Sequence, residues 1–440
     1  MKRELCLLSV TEMNRLGSGL THFLRDQGMS VHYGEMTDRW TNGELDPQFH
    51  KLRGRSAYIL ACQGPKDSGD SLLGPILMTG QIAIENGASA AYLVAPMELF
   101  GRAERGPLED SKLQGRGNQV RMLARHLKAA GFKGYMVIDS HQPSATWKIF
   151  SEEFGDDNQS FFNVDPTHFL YHYIKSHSII DMSNQGRKIV FRLPDEGSER
   201  RMMPFYNLMA KDYPNASWMQ FKKYRTIPND ENSLVLQLSG HSLNFEGTTG
   251  KTVIDLDDIV DRAGTLYWLN DKCRQQQDIV NQVGIASQSV GVVTHATLAM
   301  DARDWSRHLE ALSRLSKINY SEFITTNTLP YIEYLINVRR VPDQTLAIEG
   351  ELRQFTSEQR QMYHNLQQTT TILEVKQSIG QAIVYLENFQ GNLPNNFDVN
   401  NAFLDPLPGD PNNKVAHYEY HRSKHFRSVK IRMTENNSPQ

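Results

Sequence analysis

Residues 253–265, VIDLDDIVDRAGT, place two adjacent carboxylates, Asp257 and Asp258, at the end of an apolar run that reads as a strand. Asp261, Arg262, Ala263, Gly264 and Thr265 come next as a turn of mostly small residues. Carboxylates in such a place accept hydrogen bonds from the vicinal hydroxyls of a sugar, or hold a hard cation through oxygen. The turn behind them presents backbone amides to a phosphate. Two other apolar runs end in the same kind of chemistry. KIVFRLPD leads into EGSERR, with Asp195, Gly197, Ser198, Arg200 and Arg201, and GYMVIDS leads into His141. Any one of these groups alone reads equally well as a solvated loop residue or a helix cap. Together and in order, they imply a site for a phosphorylated sugar and a magnesium ion.

The elements that must position these groups are short β-type runs alternating with helical patterns. The strands are LCLLSV near the N-terminus, SAYILAC (56–62), AAYLVAP (90–96), GYMVIDS (134–140) and KIVFRLPD (188–195), then SLVLQL, TVIDLDD, VGVVTHA and EFITTNT. Such alternation predicts an α/β fold with mainly parallel sheets flanked by helices, the strands buried on both faces. In such sheets ligands bind at the carboxyl ends of the strands. Two series occur, before and after a polar stretch near residue 155, so two tandem domains are expected, 1–155 and 156–330. Residues 331–368 read as a charged, Gln-rich helical insertion. A final strand and helix fall in 369–400. An Asn- and Pro-rich extension, 401–440, completes the chain with a disordered tip.

The chain has 440 residues, 47 basic and 50 acidic, for a formal charge of -3. That balance argues against a general nucleic-acid or anionic-membrane binder. Cys6, Cys62 and Cys273 are too few and too scattered for a disulfide framework or a cysteine metal site, and reduced cytoplasm is the simplest location. The apolar run near the N-terminus is too short for a signal peptide. No run approaches the roughly 20 apolar residues a membrane span needs. Two patterns mislead. GTTGKT (247–252) resembles the end of a phosphate-binding loop, but Phe245 stands where its first glycine belongs, and it precedes a strand where such a loop would come after one. His417, His421 and His425 recur every four residues, among neighbours that favour a strand with surface histidines over a metal site.

In order along the chain, the motifs resemble those of ribose-phosphate pyrophosphokinase (PRPP synthetase), a family with the type I phosphoribosyltransferase fold. WTNGE supplies Trp40, Asn42 and Glu44 for the family's adenine-binding pattern, and LFGRAER supplies Arg102, Glu104 and Arg105 for its Arg-Gln-Asp-Lys loop. Asp139-Ser140-His141 corresponds to the metal motif Asp-Leu-His, and PDEGSERR (194–201) to the pyrophosphate loop. Lys223-Tyr224-Arg225 corresponds to the mobile Lys-x-Arg catalytic loop, THA (294–296) to Thr-His-Gly, and Thr326 to Pro330 to Thr-Asn-Thr-x-Pro. The resemblance spans about 35–330 and resumes at 371–386.

The resemblance implies a transfer of the β,γ-diphosphoryl group of Mg-ATP to the anomeric hydroxyl of ribose 5-phosphate. Trp40 would stack on adenine while Asn42 and Glu44 read its edge or ribose. Arg102 and Arg105, with Glu104 beside them, would serve the ATP phosphates. His141 and Asp195 would hold or orient Mg2+. Gly197, Ser198, Arg200 and Arg201 would line the pyrophosphate loop. Asp257 and Asp258 would take the ribose hydroxyls and residues 261–265 the 5′-phosphate. Lys223 and Arg225, on a closing loop, would stabilise transition-state charge. A homo-oligomer, dimer or hexamer, is expected.

The chain departs from the family pattern at Arg262, where the family has threonine, and at Ala103 and Ser198, where it has glutamine and glycine. Arg262 suits a larger 5′ substituent, so ADP-ribose is an alternative acceptor. The other two changes leave open a non-catalytic regulatory partner. A simple phosphoribosyltransferase would leave WTNGE and the doubled domain unexplained.

Overall fold

The apolar runs become strands with two buried faces. In Glu4–Ser9 (β1), Leu5 and Leu7 point into one hydrophobic cluster and Cys6 and Leu8 into another, as the two-residue period of a strand requires. A computed structural model of the protein describes residues 3–11, 14–36, 41–42, 44–64, 68–106, 111–155, 160–176, 180–194, 198–225, 234–299, 305–329, 332, 356–389 and 429–430. It divides into two compact units, each built on one sheet.

The first unit continues through α1 (Asn14–Asp26), β2 (Ser30–Glu35), β3 (Ser56–Leu60), α2 (Gly69–Glu85) and β4 (Ala90–Val94). After these come α3 (Gln119–Ala129), β5 (Gly134–Ile138), α4 (Pro143–Phe154) and β6 (Phe161–Val164). All six strands run parallel, in the order β2-β1-β3-β4-β5-β6. The face carrying Cys6, Ile59, Leu93 and Val137 packs on Ile76, Leu123 and Phe150 of α2, α3 and α4. Gly80 of α2 lies so close to Phe132 that a Cβ would sit 2.1 Å from its ring.

The second unit begins with α5 (Thr167–Ser176), the short α6 (Ser183–Gly186), β7 (Ile189–Leu193) and α7 (Glu199–Asp212). Next are β8 (Ser217–Arg225), β9 (Leu234–His241), β10 (Thr252–Val260), α8 (Gly264–Gln275) and α9 (Gln277–Val283). It ends with β11 (Gln288–Ala296), α10 (Trp305–Ile318), β12 (Glu322–Thr326), α11 (Ser357–Thr369) and β13 (Thr370–Leu373). The chain then returns to the first unit with α12 (Lys376–Phe389), whose Ile379 and Ile383 join Leu20 and Leu24 of α1 behind β1. A two-residue strand, β14 (Val429–Lys430), pairs with β13.

The second sheet has the order β14-β13-β12-β11-β10-β7-β8-β9, parallel except at its two ends. One face packs Phe191, Ile254 and Leu256 on α5 and α7, and the other packs Val190 and Val253 on Leu269, Cys273 and Ile279 of α8 and α9. Strand order reverses between β7 and β10, so the crevice at their carboxyl ends is the natural ligand position of this sheet.

Three expected boundaries move. The first unit runs to Asp165, not 155, because Phe161 and Phe162 pair with β5 and complete the core there. Strand and helix of 369–400 separate, β13 lying in the second sheet and α12 in the first unit. Within 331–368, α11 packs on α10 as part of the second unit. His417, His421 and His425 lie outside the described residues, and GTTGKT forms the turn before β10, with Gly247 and Gly250 at positive φ. All three cysteines are unpaired and buried. Among the described residues no helix is long and apolar enough to cross a membrane.

Candidate active site

At the carboxyl end of β10, the strand runs through Asp257 and Asp258 to Val260, two residues beyond the end read from sequence. Parallel pairing with β11 as far as Val260–Ala296 is the reason. Strand alternation then puts the two acids on opposite faces of the sheet. Asp258 is 4% exposed, Asp257 is partly exposed, and the Asp258 amide donates to Asp257 Oδ1 at 3.0 Å.

The turn behind them is tied down on both sides. The Val260 carbonyl accepts from the amides of Thr297 and Leu298 at 2.9 and 3.0 Å. The Thr297 hydroxyl lies between the Val260 carbonyl at 3.1 Å and Asp261 Oδ1 at 3.2 Å. Leu298 and Ala299 both sit at positive φ, and the Leu298 carbonyl is 2.8 Å from Nδ1 of buried His308, whose pKa burial pushes below the usual histidine value. Ala263 adopts the left-handed conformation (φ 53°) and caps α8, which opens at Gly264 and Thr265. First-turn amides of a helix face forward without intrahelical acceptors, which makes this turn suitable for an anion. The Arg262 side chain is exposed. Its carbonyl accepts from Arg314 Nη1 at 3.4 Å, and Arg314 pairs with Glu310 at 2.8 Å.

Beside β10 across the reversal point, β7 ends at Leu193 and buried Ser198 caps α7, which carries Arg200 and Arg201 in its first turn. Asp195 and Gly197 lie outside the described residues, as do the side chains of Arg200 and Arg201. Lys223 and Arg225, expected on a loop, are in the last three residues of β8. There they pair antiparallel with Leu236 and Leu234 of β9, because the FKKYR run continues the strand begun at Ser217. The polar strand ends VTHA and ITTNT are buried at Thr294, His295, Thr326 and Asn327, with the Thr326 hydroxyl donating to the Thr294 carbonyl at 2.7 Å.

In the first unit, Trp40 lies outside the described residues. Asn42 and Glu44 are exposed, and Asn42 Oδ1 caps the Glu44 amide at 3.1 Å. Arg102 and Arg105 are exposed on the segment after β4, with Arg105 3.4 Å from buried Glu104. Asp139 sits at φ 47°, followed by buried Ser140 and half-buried His141.

Glu98, which nothing in the sequence singled out, joins these two segments. It is 5% exposed and accepts from the Ser140 hydroxyl at 2.7 Å, the His141 amide at 3.2 Å and the Thr146 hydroxyl at 2.7 Å. Burial raises its carboxyl pKa despite those donors. Its proximity to Gly101 is such that a Cβ there would lie 2.7 Å from Glu98 Oε2. Glu98 therefore fixes the Arg102 segment against the His141 segment. Among the described residues no three His, Cys, Asp or Glu side chains gather to hold a metal ion.

Two parallel α/β units, with a paired-acid strand end and a left-handed turn opening a helix in the second, define the phosphoribosyltransferase-like class. No family model matches the chain. It is 26% identical to the ribose-phosphate pyrophosphokinase of Synechocystis over 75% of this chain and 86% of that one. With the enzyme of the same name from Gloeobacter violaceus it shares 26% identity over 66% and 73%. The phosphoribosylpyrophosphate synthetase structure from Mycobacterium smegmatis superposes with a TM-score of 0.60 at 18% identity, covering 88% of this chain and 99% of that one, and shows the shared fold. In sequence the chain is similar to ribose-phosphate pyrophosphokinases, and in fold to a phosphoribosylpyrophosphate synthetase.

Proposed function

We propose that the protein transfers the β,γ-diphosphoryl group of ATP to the anomeric 1-hydroxyl of ribose 5-phosphate, giving PRPP and AMP. The observation that carries this reading is the reversal point of the second sheet, where Asp257 and Asp258 precede the left-handed turn that opens α8. Asp257, the more exposed of the two acids, accepts the ribose hydroxyls while the amide of buried Asp258 donates to its Oδ1, and the amides of 263–265 take the 5′-phosphate. The anomeric oxygen attacks the β-phosphorus, the bond between the α- and β-phosphoryl groups breaks, and AMP leaves as the hydroxyl proton is lost. Lys223 and Arg225 stabilise charge that develops in that step. Asp195, Gly197, Ser198, Arg200 and Arg201 receive the pyrophosphoryl group, while Trp40, Asn42, Glu44, Arg102, Glu104, Arg105 and His141 serve ATP.

Mg2+, when bound, neutralises phosphate charge. His141, half-buried two residues after Asp139, and Asp195 are the residues that would hold or orient it. The working assembly in this reading is a homo-oligomer, dimer or hexamer. A second acceptor, ADP-ribose, is favoured by exposed Arg262, with Arg314 at its carbonyl, beside the phosphate turn.

The test is to incubate the protein with Mg-ATP and either ribose 5-phosphate or ADP-ribose, and to measure AMP. Ribose 5-phosphate-dependent AMP is expected. A preference for ADP-ribose selects the second acceptor, and acceptor-independent or absent AMP with both overturns the enzyme reading in favour of a regulatory partner.

A further inference from the structure

Directly beneath the candidate acceptor loops lies a charged network enclosed in the core of the second unit. Asp255 of β10 is fully buried, and Arg192 of β7, its cross-strand partner, is 3% exposed. Arg192 grips it with both arms of the guanidinium, Nε to Oδ1 at 2.6 Å and Nη2 to Oδ2 at 2.8 Å. Asp255 Oδ2 also accepts from Asn270 Nδ2 of α8 at 2.9 Å and from the Tyr320 hydroxyl at 2.8 Å. Arg192 Nη2 donates a second bond to Asn270 Oδ1 at 2.5 Å, and Asn270 Nδ2 reaches the Leu266 carbonyl at 3.0 Å. Every oxygen of the carboxylate is used, and the guanidinium is held well into its charged form by Asp255.

Burying an ion pair is costly, and well-packed apolar residues in its place are commonly as stable or more so. Stability therefore does not account for this network, and its position supplies another reason. It spans β7 and β10, the two strands between which the sheet order reverses. Two residues beyond Arg192 stands Pro194, just past the end of β7, and two beyond Asp255 stands Asp257. Asn270 lies on the helix whose first turn is the phosphate turn, and Tyr320 leads into β12 and the polar end at Thr326. One carboxylate thus joins four elements that each carry part of the acceptor site. Salt bridges and hydrogen bonds are directional where apolar contacts slide, and a bidentate fork adds geometric specificity to that direction.

We propose that Arg192, Asp255, Asn270 and Tyr320 are positioning residues for acceptor binding: they lock the carboxyl end of β7, the paired acids and the phosphate turn in one relative placement. The proposal rests on the assignment of this crevice to the ribose 5-phosphate acceptor. Its test replaces the whole network by apolar side chains, Arg192→Met, Asp255→Leu, Asn270→Leu and Tyr320→Phe together, so that no polar partner is stranded. The expected result is a Tm at or above that of the unaltered protein. The Kd for ribose 5-phosphate by calorimetry and its KM both rise at least tenfold, with the KM for ATP unchanged.

A merely structural role would instead lower the active fraction, reducing apparent kcat and leaving both KM values in place. Two single variants carry the test if the fourfold variant does not fold. Tyr320→Phe removes one hydroxyl while keeping the ring stacked on Phe323, and is expected to raise the acceptor KM about threefold. Arg192→Lys keeps the charge but loses the fork, and is expected to weaken the acceptor more than Tyr320→Phe does. Unchanged acceptor affinity in these variants overturns the proposal. Failure of the unaltered protein to bind ribose 5-phosphate in calorimetry overturns the acceptor reading instead, and with it the basis for assigning the network this role.

Discussion

Replacing Glu98 separates a polar hub from ordinary core packing. Its carboxylate serves three donors, two on Oε2 (the Ser140 hydroxyl and the His141 amide) and one on Oε1 (the Thr146 hydroxyl). In Glu98→Ala all three lose their acceptor in a buried place. Stranded buried donors cost about 1–3 kcal/mol each, and hydroxyls relax by turning, so the low end applies and a loss of about 3–5 kcal/mol is expected. Glu98→Gln keeps one carbonyl oxygen for Ser140 and His141, while its amide faces the Thr146 hydroxyl, which turns to accept. That variant should lose about 1 kcal/mol.

The sign of the pH effect is set by burial, which raises the Glu98 pKa. The folded state prefers the protonated carboxyl, so this contribution is complete below the ordinary glutamate pKa and is lost as pH rises through the raised folded value. The gap between the native protein and Glu98→Gln should therefore narrow from pH 4 to pH 7. Urea denaturation monitored by tryptophan fluorescence measures it, with Trp147 adjoining Thr146. Equal losses in the Ala and Gln variants would refute the three-donor account. A gap that widens as pH rises would refute the assigned direction of the pKa shift.

Ala263 holds a left-handed φ of 53° while buried, so Ala263→Gly should be neutral or stabilising by up to about 1 kcal/mol, whereas Ala263→Val should cost about 2 kcal/mol; thermal denaturation distinguishes them. Burial lowers the pKa of His308, so its contribution is present above the ordinary histidine pKa and is lost as pH falls from about 6.5 toward the depressed folded value. Stability profiles from pH 8 to 5 should flatten in His308→Gln. Lys223→Ala should lower kcat by about a hundredfold or more with little change in KM for ATP, since the proposed contact forms in the transition state; steady-state kinetics in both substrates checks this.

The parts of the fold legible in the sequence are those dictated by local pattern. SAYIL, AAYLV, GYMVI and IVFRL are strands because continuous apolar runs bounded by polar turns fit only parallel strands buried on both faces. The two-sheet α/β class was readable from them, and the similarity to ribose-phosphate pyrophosphokinases from the ordered motifs. Local pattern does not carry partnership over distance. The stretch 155–160 is polar, yet β6 completes the first sheet because Phe161 meets Tyr135 and Phe150, and Phe162 meets Tyr92. Lys376 comes three residues after β13, yet α12 packs with α1 because Ile379 and Ile383 find Leu20 and Leu24 there. Glu98 and Asp255 escape a sequence reading for the same reason: apart from Asn270, 15 positions from Asp255, their donors come from residues 42 to 65 positions away. One signal was available for Asp255. An acid flanked by Val253, Ile254 and Leu256 in a strand buried on both faces requires a buried partner, and Arg192 is the corresponding intruder in IVFRL.

Glu98 and Asp255 occupy equivalent logical positions in unrelated sequence contexts. Each is a carboxylate just beneath the loops that the family resemblance assigns to a substrate, and each accepts from several elements at once. A loop that must face a polyanion cannot be anchored by its own apolar residues, because those exposed to the ligand are polar or glycine. Its anchoring has to come from below and be directional, which hydrogen bonds to a fully used carboxylate provide and dispersion contacts do not. The charge of each buried acid is balanced differently: Asp255 by the Arg192 fork, Glu98 by neutral donors alone. The second arrangement leaves Glu98 with a raised pKa and the first leaves Arg192 more firmly charged. The phosphate-turn side of the protein is therefore built on a guanidinium held in its charged form, and the Arg102–His141 side on a carboxyl whose charge burial disfavours.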